Sequence, residues 1–256
     1  INFIYISCYV RAIIISVTIS GAGEVIKEVT KINSKLASFI VCVAIILFSK
    51  RGEQGLAWAG RIAVPLTVFA LAVGYVFAVF KFGYHNSLNA NNQPISPFLP
   101  NVVVSAITYS GFSVLTAIGV FKSNHMRYGE GVKSVLGVII SGFIMLILLT
   151  LTAFLISAFP SSISAELPVL SVIKNLSTTL YCATSALILT VALSLVSTHL
   201  NSIAGASLSL KKAIVLFLAY LSSLIGFSKL ISIVYPIIGW VGVFMVILFV
   251  IKLLKR

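Results

Sequence analysis

The sequence predicts an all-α integral membrane protein with about eight transmembrane helices. Three observations carry that prediction. Hydrophobic residues make up 59% of the 256 positions and charged residues only 9%, against about 25% charged in soluble domains. The mean hydropathy is +1.14. The apolar residues fall in long runs, and most basic residues fall between them.

Taken in order, the spans begin with Ile1–Ser20. It has no basic leader, so it reads as a span entered from an upstream segment and not as a signal peptide. Arg11 is the one basic residue well inside a span. A central Arg costs about 2.5–3.5 kcal/mol on insertion scales, which favours a position near the cytoplasmic edge. Tyr5 and Tyr9 share a face; Tyr5 suits an interfacial belt, and Tyr9 is a candidate cavity residue. Leu36–Phe48 is short for a span, and Ile62–Phe80 is of ordinary length. The loop Tyr84–Pro100 is the most polar, with three prolines. Asn101–Phe121 and Leu136–Phe159 follow. Val169–Thr198 is long enough for its first turns to lie outside the hydrocarbon, with Pro168 placed to open it. Ala213–Phe227 is short, and Leu230–Ile251 ends the set.

The charge of +13 reports orientation, because the basic residues form no patch interleaved with aromatics; nucleic acid is not an expected partner. One side receives Lys50, Arg51, Arg61, Lys122, Arg127, Lys133, Lys211, Lys212, Lys252, Lys255 and Arg256. The other receives Lys27, Lys31, Lys35, Lys81, Lys174 and Lys229. The richer side is expected to be cytoplasmic, which puts the C-terminus inside a multi-pass plasma-membrane protein.

The middle span carries the most informative pattern. Its centre, Tyr109-Ser110-Gly111-Phe112-Ser113, places small and hydroxyl-bearing residues where a plain anchor has Leu or Ile. One reading is an unwound segment that binds a solute, with Tyr109 and Phe112 as walls, since backbone freed in lipid must find other partners. The other is a continuous helix whose small residues let a neighbour approach closely. The pattern alone leaves them even. In the sixth span Thr190, Ser194, Ser197, Thr198 and Asn201 share one helical face. Such hydroxyls suit a hard cation such as sodium, or else they bond their own helix. His199, at the end of that face, reads as structural.

The acids are Glu24, Glu28, Glu53, Glu130 and Glu166, and none is expected inside a span. Cys8, Cys42 and Cys182 lie in apolar runs, with no pattern for a zinc site. No paired carboxylate, HExxH or P-loop is present, which argues against an enzyme and leaves no cofactor to expect.

An ordered set of short motifs runs along the chain. Ser20-Gly21-Ala22-Gly23 follows the first span, and Ser105-Ala106-Ile107-Thr108-Tyr109 enters the middle one. Glu166-Leu167-Pro168 precedes the sixth. Gly226-Phe227-Ser228-Lys229-Leu230 and Tyr235-Pro236-Ile237-Ile238-Gly239 mark the last. This set resembles the YkvI-type membrane proteins of the amino acid–polyamine–organocation transporter superfamily. The resemblance implies a partial LeuT-like bundle of two inverted five-helix repeats. Residues 1–80 then correspond to family helices three to five, and 101–251 to helices six to ten. It implies secondary transport of an amino acid or similar zwitterion. It puts substrate at Tyr109–Ser113 and Tyr9, and a coupling sodium ion at Ser194, Ser197 and Thr198. The family's first two helices have no counterpart, so the chain reads as part of a longer transporter or the product of a shortened gene. The competing readings are a non-transporting receptor or assembly partner and an inactive truncated product.

Overall fold

In the computed structural model, residues 3–49, 53–82, 101–128, 132–159, 162, 165–204 and 210–254 are described. Among them the chain is helical, with no strand. The helices are α1 (Phe3–Thr30), α2 (Ser34–Ser49), α3 (Glu53–Phe82), α4 (Val102–Tyr128), α5 (Val132–Ala158), α6 (Pro168–Leu176), α7 (Thr178–Ala204), α8 (Leu210–Ser223) and α9 (Phe227–Leu254).

Five described stretches are long and apolar enough to cross a membrane. They are Tyr9–Thr30, Gly60–Lys81, Val135–Ile156, Thr178–Asn201 and Phe227–Lys252. Ser34–Leu47 and Val102–Leu115 are shorter apolar stretches. The chain is thus a membrane protein of several apolar helices. Large side chains such as Phe143, Leu146, Phe244 and Phe249 point outward. An apolar exterior is what a bilayer solvates and water does not.

Helix α1 is the axis of the bundle. Its Ile15 and Ile19 pack with Val41, Ile45, Val196, Leu200 and Leu216 from α2, α7 and α8. Its Val25 joins Leu71, Leu155, Ile173 and Tyr181 from α3, α5, α6 and α7. Its Val10 and Ile14 meet Ile238 of α9, with Phe112 of α4 against them. Lipid tails are as apolar as these side chains, so close packing holds the helices together.

Glycine and serine set the closest approaches. A methyl on Gly21 would stand 2.8 Å from the Phe227 ring. One on Gly60 of α3 would stand 2.7 Å from the Ser194 hydroxyl of α7. On α9, Gly239 and Gly242 lie against the backbone of Thr108 and Gly111 on α4; a methyl at Gly239 or Gly242 would overlap that backbone, and one at Gly111 would overlap the Gly239 carbonyl.

The structure decides between two readings and departs from two expectations. First, α4 is continuously helical through Tyr109–Ser113, which is the second of the two readings that the pattern left even. The small residues buy close helix approach instead: Gly111 is seated on Gly239 and Gly242. Second, α1 runs on to Thr30. Glu24 and Glu28 therefore lie within a membrane-length helix, against the expectation that no acid does. Glu24 is buried because the Lys27 ammonium, at 2.7 Å, and the Ser34 hydroxyl, at 2.6 Å, both bond its carboxylate. Third, Val169–Thr198 is two helices. Pro168 opens α6 as expected, but Ser177 is extended and separates it from α7. The polar loop Tyr84–Pro100 lies outside the described residues.

Candidate functional site

A cavity of about 190 Å³ lies where α1, α4, α7 and α9 meet. Helix α1 contributes Ile13, Ile14, Val17 and Thr18, and α4 contributes Phe112. Leu195 and His199 come from α7, and Val234, Tyr235 and Ile238 from α9. The residues on α1 recur at i, i+1, i+4 and i+5, which is one helical face. On α9, Val234, Tyr235 and Ile238 do the same.

Aromatic rings form one wall. Phe112 and Tyr235 stack with ring centroids 4.2 Å apart and planes at 27°. Tyr109 extends the set, 6.5 Å from Phe112, and its hydroxyl meets Ser113 one turn on. His199 is a further buried lining residue, close enough to Arg11 for the two to interact electrostatically. The Thr18 hydroxyl donates to the Ile14 carbonyl at 2.8 Å, which leaves its methyl for the cavity. The lining is therefore mainly apolar and aromatic, with a histidine and a tyrosine as its polar groups. That combination suits a small solute with an apolar body and a few polar atoms.

Of the residues picked from the sequence, Phe112 alone lines this cavity. Tyr109 and Ser113 stand behind it. Ser110 is exposed, and its hydroxyl donates to the Ala106 carbonyl at 2.8 Å. Gly111 is buried in the α4–α9 contact. Tyr9 is 72% exposed and does not reach the cavity.

The three α7 hydroxyls do not converge with the α4 residues. Ser194 is buried beside Gly60 of α3. Thr198 is exposed, and its hydroxyl donates to the Ser194 carbonyl at 2.9 Å. Ser197 is buried, and its hydroxyl has no hydrogen-bond partner. The periodicity that unites them also brings Asn201, which accepts from the buried Lys212 ammonium of α8.

The sequence pattern does not single out Thr18 or Val234, brings in Tyr235 only through a motif of the resemblance, and reads His199 as a helix-end residue. Tyr235-Pro236 in an otherwise apolar span is the one local signal that marks this wall.

No family model and no solved structure matches the chain. The chain is similar to a Bacillus subtilis (strain 168) protein named "Uncharacterized membrane protein YkvI". The two are 24% identical over 243 residues, which covers 89% of this chain. The chain spans 66% of that relative's length. The similarity thus joins a multi-helix membrane chain to a longer protein that is also named as a membrane protein.

Proposed function

We propose that this chain is a secondary transporter, or the greater part of one, that carries a small amphipathic solute. An amino acid or similar zwitterion is the substrate class. The observation that carries the reading is the cavity between α1, α4, α7 and α9, walled by Phe112 and Tyr235 and faced by His199. Transporters of this kind bind substrate between helices near the bilayer midplane and open to each side in turn.

In the LeuT-like reading, residues 1–80 supply helices three to five of the first repeat, and residues 101–251 supply the second repeat. Helices α1, α4 and α7 are then family helices three, six and eight, which converge on the solute site. The C-terminus lies on the cytoplasmic side of the plasma membrane, by the excess of Lys and Arg there. Sodium is the proposed coupling ion at Ser194, Ser197 and Thr198. Ser197 is the strongest of the three, because its buried hydroxyl is left without a partner. A second reading, a receptor or assembly partner that keeps the fold without transport, is favoured by the unbroken α4.

Uptake into proteoliposomes separates the two. The chain and its longer Bacillus subtilis relative would each be assayed with a panel of radiolabelled amino acids, with and without an inward sodium gradient. Transport predicts accumulation that Phe112→Ala or Tyr235→Ala reduces. No uptake of any panel member by either protein rejects the transporter reading.

A further inference from the structure

The charges around the cavity have one sign. Among its described lining residues His199 is basic and none carries a carboxylate. The charge that acts on His199 is the guanidinium of Arg11. Arg11 is half-buried on α1 and stands at i to the i+3 of Ile14, so it shares a face with a residue that lines the cavity.

The described carboxylates of the bundle are elsewhere and engaged. Glu24 and Glu28 lie six and ten residues beyond Thr18 on α1, which is about 9 and 15 Å of rise. Glu24 holds the Lys27 ammonium and the Ser34 hydroxyl. Glu28 meets the Tyr181 hydroxyl. Glu166 accepts from the Ser228 hydroxyl at 2.7 Å. An ammonium group brought into the cavity would therefore find a charge of its own sign nearby and no described acid to pair with, which makes its burial costly. A carboxylate brought there finds the opposite. The imidazole of His199 and the hydroxyl of Tyr235 are both capable of donating a hydrogen bond, and Arg11 supplies the attracting charge.

The remaining lining sets the size and nature of the tail. Ile13, Ile14, Val17, Leu195, Val234 and Ile238 are aliphatic, and the stacked Phe112 and Tyr235 rings close one wall. An apolar cavity of about 150 Å³ takes one benzene ring. The volume here, about 190 Å³, takes that much apolar body together with a small head group.

We propose that the cavity recognises an apolar monocarboxylate of about six carbons, held by its carboxylate near His199, Tyr235 and Arg11, with no contribution from an α-ammonium group. The inference rests on the reading of this cavity as the solute site. It is tested by binding and not by uptake, so that its failure and the failure of the transport reading are told apart.

The whole chain, purified in detergent, is titrated calorimetrically against a protein-free micelle baseline. The ligands are 4-methylpentanoate, leucine (the same skeleton with an α-ammonium), isopentylamine (the ammonium without the carboxylate) and 4-methylpentanamide (the uncharged isostere). The acid is expected to bind saturably, with leucine no more than about 3-fold tighter. The amine and the amide should bind about 10-fold more weakly or worse. Arg11→Gln should weaken the acid about 10-fold and leave the amide where it was, so that the preference between the two shrinks; Arg11→Lys should keep most of that preference. A general packing defect would weaken acid and amide alike. Where Arg11→Gln does not fold, the four ligands on the wild type decide alone. Leucine that binds more than about 3-fold tighter than the acid overturns the proposal, because the ammonium is then being held. Amine or amide binding equal to that of the acid overturns it, and so does the absence of saturable binding of the acid. Binding of the acid in the expected order without uptake into proteoliposomes supports the proposal and removes only transport.

Discussion

Replacing Gly111 by Ala tests what the small residues of α4 are for. A helical Gly→Ala change on its own gains about 0.5–1 kcal/mol, because Ala loses less backbone freedom on folding. At Gly111 the added methyl would overlap the Gly239 carbonyl and fall 2.7 Å from the backbone nitrogen of Val243. Both are backbone atoms, so no rotamer change clears them and the helices must separate. Overpacking of this kind costs about 1–3 kcal/mol, which outweighs the gain and leaves Gly111→Ala less stable by about 1–2 kcal/mol. Gly137 and Gly142 on α5 are the controls, since a methyl there meets nothing within 4 Å. Gly137→Ala and Gly142→Ala should be neutral or stabilised by about 0.5–1 kcal/mol. Reversible unfolding of the three variants in mixed micelles gives the comparison. If Gly111→Ala is as stable as Gly142→Ala, close approach of α4 and α9 is not what Gly111 provides. A variant that keeps its stability but loses uptake would favour the unwound-segment reading instead.

Three further outcomes follow from other contacts. Glu24→Ala should lower stability by about 1–3 kcal/mol, because it strips the Ser34 hydroxyl and the Lys27 ammonium of their acceptor; an unchanged unfolding midpoint would refute it. Gly60→Ala should destabilise the α3–α7 contact by about 1 kcal/mol, and Gly60→Ala with Ser194→Ala should recover most of that; absence of coupling would show that the two do not touch. A cysteine placed by Lys252→Cys, with the native cysteines replaced, should react with an impermeant maleimide only from the cytoplasmic face. Labelling from outside would invert the proposed orientation.

The helices were legible because long apolar runs are a coarse signal that packing does not alter. Leu36–Phe48 and Leu230–Ile251 became α2 and α9 with only small extensions. Ends and breaks were harder. The first span was expected to end at Ser20, yet Gly21-Ala22-Gly23 continues the helix, with Phe227 packed on Gly21 and Ser38 on Gly23. The extra turns then carry Glu24 inward, and the Lys27 ammonium together with the Ser34 hydroxyl ten residues later makes that burial tolerable. In the other direction, Ser177 breaks a run that hydropathy alone would continue. The candidate site was partly visible through Phe112. Tyr235 and His199 were not, since their roles depend on which helix faces which. The α7 hydroxyls show the limit of periodicity. It put Ser194, Ser197 and Thr198 on one broad face, but Gly60 occupies part of that face and Thr198 is spent on its own backbone.

The buried lysine of α8 bears on how the protein is inserted. Helix α8 has 14 residues, about 21 Å of rise, against a hydrocarbon thickness of about 30 Å. It also carries Lys211 and Lys212 in its first turn. Such a segment is a poor substrate for the insertion machinery by itself. Gly226, with a φ of +99°, turns the chain directly from α8 into the long apolar α9, so the two are suited to enter as one hairpin. Lys212 can then bury its charge against Asn201 of α7, which is already in place. The order of synthesis matches the order of need: α7 emerges first and waits with the acceptor that lets α8 settle.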